Sequence, residues 1–440
     1  DWGIVGTYLV LLFAVGLRFT NDANKSVNDY FLGGRNMTPW VVAISVIATT
    51  QSAATFLGGP DQGYRGNYTY LAANVSAVIA SIFVARILIP RFYAENATTV
   101  YELLDKRYGR GAMRAAGLMY IIGRFFASGA RLYLAAIAVS MILFTNIDAS
   151  NIIISSFILI VLGFSVTFLG GIRSIIWTDL LQFTMYVFSA VAVLYFLFIN
   201  IPLSIPEIVT TLDVQEKLVL FNFDMDFSAP YSMLSIFTGL TLLYIASFGL
   251  DQDITQRLLT CKKGSDGGKA LIVSALIGIP IIWLFISIGQ LLYIFYDRPD
   301  LMAGSEIGSQ SYAGEQVTIF MYYILNELPS GLKGLVTVGV IAAAVSTINS
   351  GLNSMSSVLV QDFYRPWRSK RQEKSERHYV RAGQVGMGLV GFVLFAMSAL
   401  CYYWQRYSGL PLIDFALSLM VFAYSGLLGV YFTALFTKRG

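Results

Sequence analysis

Apolar residues in this chain run in long blocks, several of them 18 residues or more without Asp, Glu, Lys or Arg, separated by short polar loops. Blocks of that length read as membrane-spanning helices. Eleven are predicted, at about 2–20, 38–59, 69–90, 114–145, 151–170, 172–199, 230–256, 270–296, 333–362, 380–402 and 410–437. A short amphipathic helix is expected near 315–327. Lys and Arg gather in alternate loops: Arg18, Lys25 and Arg35; Lys106, Arg107 and Arg110; Lys262, Lys263 and Lys269; and the run from Arg365 to Arg377. The loop 201–226 instead holds Glu207, Asp213, Glu216, Asp224 and Asp226 against Lys217 alone. This bias places the N-terminus outside and the C-terminus in the cytoplasm of a multi-pass plasma (inner) membrane protein.

Four departures from the apolar pattern carry the candidate chemistry. Within the span 333–362, Val345–Ser354 crowds hydroxyls and amides into three turns, more than back-bonding to i−4 carbonyls accounts for, so a cation site is expected there. The span 38–59 contains Ala48-Thr-Thr-Gln-Ser-Ala-Ala-Thr55, with low apolar content where a bilayer is driest. It reads either as a broken helix, whose freed carbonyls need an ion, water or protein beside them, or as a polar seam between helices. Asp179 sits some seven residues into its span, as a functional carboxylate or as the local partner of Arg173. Arg124 and Arg131 share one face seven residues apart, suited to an anionic ligand or to pairing with acidic side chains. Tyr68, Tyr70 and Asn74 offer aromatic faces and an amide that suit a sugar-like ligand, or else an interfacial belt.

Composition narrows the function. The chain is 56% hydrophobic and 13% charged, and its net charge of +4 is spread over loops, which removes nucleic acid as a partner and leaves membrane lipid as the surroundings. Cys261 and Cys401 lie toward opposite faces of the predicted topology, which argues against a disulfide. With His378 as the single histidine, no His-Cys metal site, Ser-His-Asp arrangement or other nucleophile–base pair is legible, so no enzyme is expected. No signal peptide is visible; the first residue is Asp1, as expected of a trimmed N-terminus. Setting aside the first span leaves ten, and two five-helix units of odd count enter the membrane in opposite senses, as in inverted-repeat transporters. The spans 38–59 and 230–256 then correspond, as do 114–145 and 333–362. The expected units are an N-terminal helix and inner loop (1–37), a first repeat (38–200), an outer loop (201–229) and a second repeat (230–440).

Four motifs, in this order, resemble the sodium/solute symporter family: Tyr30-Phe-Leu-Gly-Gly-Arg35, Gly170-Gly-Ile-Arg-Ser-Ile-Ile-Trp-Thr-Asp179, Asp251-Gln-Asp-Ile-Thr-Gln-Arg257 and Gly339-Val-Ile-Ala-Ala-Ala-Val-Ser-Thr-Ile-Asn-Ser350. The resemblance implies an all-α LeuT-type fold, two inverted five-helix repeats preceded by one extra helix, and Na+ as coupling ion. It places a sodium site on the carbonyls of Ala48, Gln51 and Ala343 and the hydroxyls of Ser346 and Thr347. A second sodium site, found in some members, falls on Asp179, Ser346, Asn349 and Ser350, with Asn349 where those members carry a hydroxyl residue. Ala48–Thr55 looks most like bacterial sialic acid symporters, whose substrate contacts fall on Thr50, Ser52, Thr55 and Asn74, the last in place of a glutamine. Their carboxylate-binding arginine corresponds to Arg124 across a five-residue gap; without the gap, Ala127 takes its place, flanked by Arg124 and Arg131. The implied function is sodium-coupled import of a small organic solute, a carboxylate-bearing sugar acid such as sialic acid. Alternatives are a neutral sugar, a proline-like amino acid or a monocarboxylate, or a membrane sensor built on the same fold.

Overall fold

The computed structural model describes the 440-residue chain except residues 21–25, 226–228, 230, 299, 303–310, 313–314, 373, 409–411 and 438–440. Among the described residues, six helices are long and apolar enough to cross a membrane, and two sharply bent helix pairs raise the number to eight. In order the helices are α1 (Trp2–Leu17), α2 (Val27–Leu32), α3 (Pro39–Thr50), α4 (Ala53–Arg65), α5 (Thr69–Ala94), α6 (Glu102–Phe144), α7 (Ala149–Asn200), α8 (Ile205–Val214) and α9 (Met233–Gly249). There follow α10 (Gln252–Leu258), α11 (Gly264–Asp297), α12 (Ile319–Asn326), α13 (Leu332–Ser369), α14 (Glu376–Ser408) and α15 (Leu412–Phe436). A two-residue antiparallel pairing, β1 (Ser311–Tyr312) with β2 (Glu315–Gln316), precedes α12.

The predicted spans 151–170 and 172–199 are the two helical arms of α7, whose 52 residues amount to about twice what a bilayer needs. It turns back at Gly171, where φ is 56° and ψ −153°. That conformation is open to glycine and strained for any L side chain, and a Cβ here would run into the Tyr30 carbonyl. With α7 counted as two crossings and each bent pair as one, α1 and α15 complete the eleven expected segments. Two boundaries move. The helix expected from 114 begins at Glu102 and kinks at Gly109, and the amphipathic helix expected at 315–327 is confined to Ile319–Asn326.

α13 occupies the centre. Every residue from Val336 to Val358 is buried, and the helix packs on α7, α6, α14 and α3. A helix buried on all sides carries no amphipathic stripe, so its polar residues must find partners within the protein. α4 lies against α11 closely enough that a Cβ on Gly63 would strike the Ile286 carbonyl, and one on Gly289 the Pro60 carbonyl. Both cysteines are buried and unpaired.

Candidate functional site

The broken-helix reading of 38–59 holds: α3 and α4 meet at 67° across Gln51 and Ser52. Both residues are extended, with φ/ψ of −85°/108° and −107°/173°. The α3 ladder ends with Gln51 N–H donating to the Ile47 carbonyl at 2.9 Å, and α4 begins with Phe56 N–H donating to the Ser52 carbonyl at 3.0 Å. Carbonyls from Ala48 onward therefore point out of the helix without the amide partners a continuous helix supplies. Left unmatched in hydrocarbon, each costs several kcal/mol. Two hydroxyls of α13, which packs on α3, are buried in the same region: Ser346 and Thr347 are 1% and 3% exposed. The Thr347 hydroxyl donates to the Ala343 carbonyl at 3.0 Å, and Ser346 donates to Asp179 Oδ1 at 2.6 Å. Each has committed its one proton and keeps lone pairs for a cation. An all-oxygen set of broken-helix carbonyls and hydroxyls fits a sodium ion.

Asp179 is fully buried, and its charged partner is Arg257 rather than the nearby Arg173. It accepts from Ser45 at 2.5 Å, from Ser346, and from Arg257 Nη2 at 3.2 Å. Arg173 instead donates to the Gly33 carbonyl at 3.2 Å. Of the second-site set, Asp179 and Ser346 meet, while Asn349 and Ser350 take other partners. Ser350 donates to Asp253. The Asn349 amide lies between the Val345 and Gly163 carbonyls, its nitrogen 3.1 and 2.8 Å from them. The reason is axial: Asn349 and Ser350 share a face with Ser346 but lie about one turn, roughly 5 Å, further along the helix, where Gly163 of α7 and Asp253 of α10 stand opposite instead of Asp179.

All seven expected substrate contacts, Thr50, Ser52, Thr55, Tyr70, Asn74, Arg124 and Arg131, line one cavity of about 160 Å³ beside the break. That is room for on the order of ten waters. Thr50 bonds back to the Ile47 carbonyl at 2.9 Å, and the Asn74 amide donates to the Leu71 carbonyl at 3.0 Å, leaving its oxygen near Gly278. Tyr70 packs edge-on against Tyr231 with ring centroids 5.2 Å apart. Tyr68 is elsewhere, paired with Ser287 at 2.9 Å. Tyr244, Ser247, Asp251 and Tyr424, which the sequence did not single out for the ligand, also line the cavity.

Asp251 opens α10 after a second break. α9 and α10 meet at 59°, and Asp251 caps α10 by accepting from Asp253 N–H at 2.9 Å. Of the two alternatives for Arg124, pairing with acidic side chains is present. Its guanidinium is 3% exposed and bound to both Asp251, at 2.8 Å, and Asp253. Arg124 also lines the cavity, so its guanidinium is shared between these carboxylates and the cavity. Arg257, 1% exposed, joins Asp253 to Asp179 and receives support from Ser45, to which its Nε donates at 2.8 Å. Tyr424 donates to Asp251. Two acids and an arginine within Asp251–Arg257, at the end of an apolar span, were the sequence signal for this cluster.

With the geometry in place, comparison with known proteins is informative. The model of the sodium:solute symporter family matches residues 30–439. The sodium/sialic acid symporter NanT of Aliivibrio fischeri is 29% identical over 394 residues, covering 88% of this chain and 74% of that protein. The sodium/sialic acid symporter SiaT of Proteus mirabilis is 27% identical, covering all of this chain and 85% of that one. A solved structure of a sodium-coupled sialic acid symporter, substrate-bound and outward-open, superposes with a TM-score of 0.84 at 26% identity, covering this whole chain and 87% of its own. The architecture is thus the LeuT-type fold, two inverted five-helix repeats behind one extra helix. The chain belongs to the sodium:solute symporter family, and it is accordingly a multi-pass membrane protein that couples solute transport to sodium rather than an enzyme.

Proposed function

We propose that this protein imports sialic acid, or a closely related carboxylate-bearing sugar acid, together with sodium. The observation that carries the proposal is the cavity at the first break. Thr50, Ser52, Thr55 and Asn74 supply hydroxyls and an amide for a polyol, Tyr70 an aromatic face, and Arg131 a guanidinium on the same wall. Relatives named for sialic acid agree with that chemistry. A neutral sugar, proline or a monocarboxylate uses only part of this lining.

Sodium binds the carbonyls of Ala48, Gln51 and Ala343 and the hydroxyls of Ser346 and Thr347. It draws α3 toward α13 and presents the unwound turn to the solute. Asp179 acts through Ser346, whose proton it holds, so that the lone pairs face the ion; a partner behind a ligand orients it. Coupling follows because ion and solute both favour the arrangement in which the break is ordered, and a ligand indifferent to it would shift nothing. The repeats run from 38–200 and 230–440 around the outer loop 201–229, with 1–37 as the added helix. The protein sits in the plasma (inner) membrane among lipid, with the N-terminus outside, the C-terminus cytoplasmic, and no nucleic-acid partner.

The test is a thermal-shift screen of N-acetylneuraminate, a neutral hexose, proline and lactate, each with and without sodium. N-acetylneuraminate should stabilise the protein only with sodium present. Stabilisation by another of these ligands, and none by N-acetylneuraminate, overturns the substrate assignment.

A further inference from the structure

The cavity and the sodium shell are joined by an unbroken line of buried charged groups. Asp251, in the cavity wall, is bound by Arg124; Arg124 also binds Asp253; Asp253 binds Arg257; Arg257 binds Asp179; and Asp179 accepts from Ser346 of the sodium shell. All six side chains are between 0 and 3% exposed. The links come from four separate stretches of chain: α6, the Asp251–Leu258 turn and half-helix, α7 and α13. Every residue of α10 is buried, and this short element carries the middle of the line.

We propose that Asp253 and Arg257 are the positioning residues that couple solute binding to sodium binding, with α10 as the element both sites bias. This rests on the cavity and sodium shell assigned above. The physical argument is one of shared partners. A solute carboxylate arriving beside Arg124 and Arg131 competes with Asp251 for a guanidinium that also holds Asp253. A cation on the lone pairs of Ser346 polarises the O–H that Asp179 accepts, and Asp179 in turn holds Arg257. Either event alters the pull on α10 from one end, and in a low-dielectric interior a buried charge cannot shift without its partner following. Ser350 on Asp253 and Ser45 between Asp179 and Arg257 clamp the line at two points. Neither Asp253 nor Arg257 lines the cavity or belongs to the sodium shell, so both act through other residues.

The experiment uses the full chain in nanodiscs, with calorimetric affinity for N-acetylneuraminate at low and at saturating sodium. The readout is the ratio of the two affinities. Coupling between sites is commonly worth about 5–150-fold, and the wild type should show a ratio of at least about tenfold. Asp253→Asn and Arg257→Gln should each bring the ratio near one, while sodium alone still raises the thermal midpoint. The double variant should lose no more than either single one, because both break the same line. A merely structural role would lower the midpoint and weaken both affinities together, leaving the ratio intact. Should these variants fail to fold, Ser350→Ala and Ser45→Ala, each removing one clamp, should reduce the ratio at least about twofold. An undiminished ratio in the folded variants overturns the coupling role, and additive losses in the double variant overturn the continuous line. A wild type that binds N-acetylneuraminate without regard to sodium overturns the sodium-shell reading instead, and one that fails to bind it overturns the substrate reading.

Discussion

The first break, at Gln51–Ser52, presents neutral oxygens to a cavity; the second, at Leu250–Asp251, is set among three carboxylates and two guanidiniums in ion-pair contact. The backbone device is the same, a helix bent by 67° in one case and 59° in the other. Orphaned carbonyls are weak, adaptable ligands, suited to an ion that must arrive and leave. Ion pairs at 0–3% exposure are costly to assemble and costlier to break, so they suit a fixed frame that moves as a unit. Two breaks with one geometry thus divide the work: one binds, and the other holds.

The sharpest way to break this division is to remove a charge from the second. Arg124→Ala leaves Asp251 and Asp253 buried without their shared partner and should destabilise the protein by about 3–5 kcal/mol, visible as a large fall in thermal midpoint. A small fall would show that the frame is not held by its charges. At the first break, Ser346→Ala and Thr347→Ala should raise the sodium concentration for half-maximal uptake by about tenfold or more with a far smaller change in midpoint. Sodium activation unchanged in reconstituted vesicles for both would remove the assigned shell. Arg131→Ala should weaken binding of an anionic solute by roughly tenfold to a hundredfold, the worth of a charge-assisted hydrogen bond. It should spare an uncharged analogue, and equal loss for both would end the carboxylate assignment.

The smallest effect belongs outside the membrane. Lys217 donates to the Tyr64 carbonyl at 2.7 Å and sits 4.1 Å from the Tyr293 ring centre, tying the outer loop to the end of α4. Partial desolvation holds its ammonium below the ordinary lysine value of 10.5. The unfolded chain therefore binds this proton more tightly, and the stability linked to it grows as pH rises from the lowered value toward 10.5 and is lost as pH falls. Lys217→Met should flatten that trend in thermal midpoint and leave sodium activation unchanged. A shift in sodium activation would tie the outer loop to the first break.

Much of this molecule is local in origin. Bilayer thickness and the lack of water within it set the length of an apolar run, so the eleven segments follow from hydropathy, with charge bias supplying their expected sense. The first break is equally local: hydroxyls, alanines and a glutamine at 48–55 give the backbone little apolar packing to lose by unwinding. The turn within α7 is carried by Gly170–Gly171. The resemblance gathered Thr50, Ser52, Thr55, Asn74 and Arg124, the pattern of polar residues within apolar spans added Tyr70 and Arg131, and the fold placed all seven around one cavity.

Partner choice was decided only in three dimensions. Helical periodicity states which residues share a face, but not what stands opposite. Asp179 had Arg173 six residues away and took Arg257; Arg124 took acids more than a hundred positions later; and Asn349 turned to a glycine carbonyl of α7. In a dry interior each charge is matched by whichever partner the packing brings within about 3 Å, because the penalty for an unmatched one exceeds any local alternative. The sequence thus determined where the chain crosses the membrane and where it first breaks. The tertiary structure decided that the second break carries a charged frame, and that Ser350 meets Asp253 rather than joining Ser346 at Asp179.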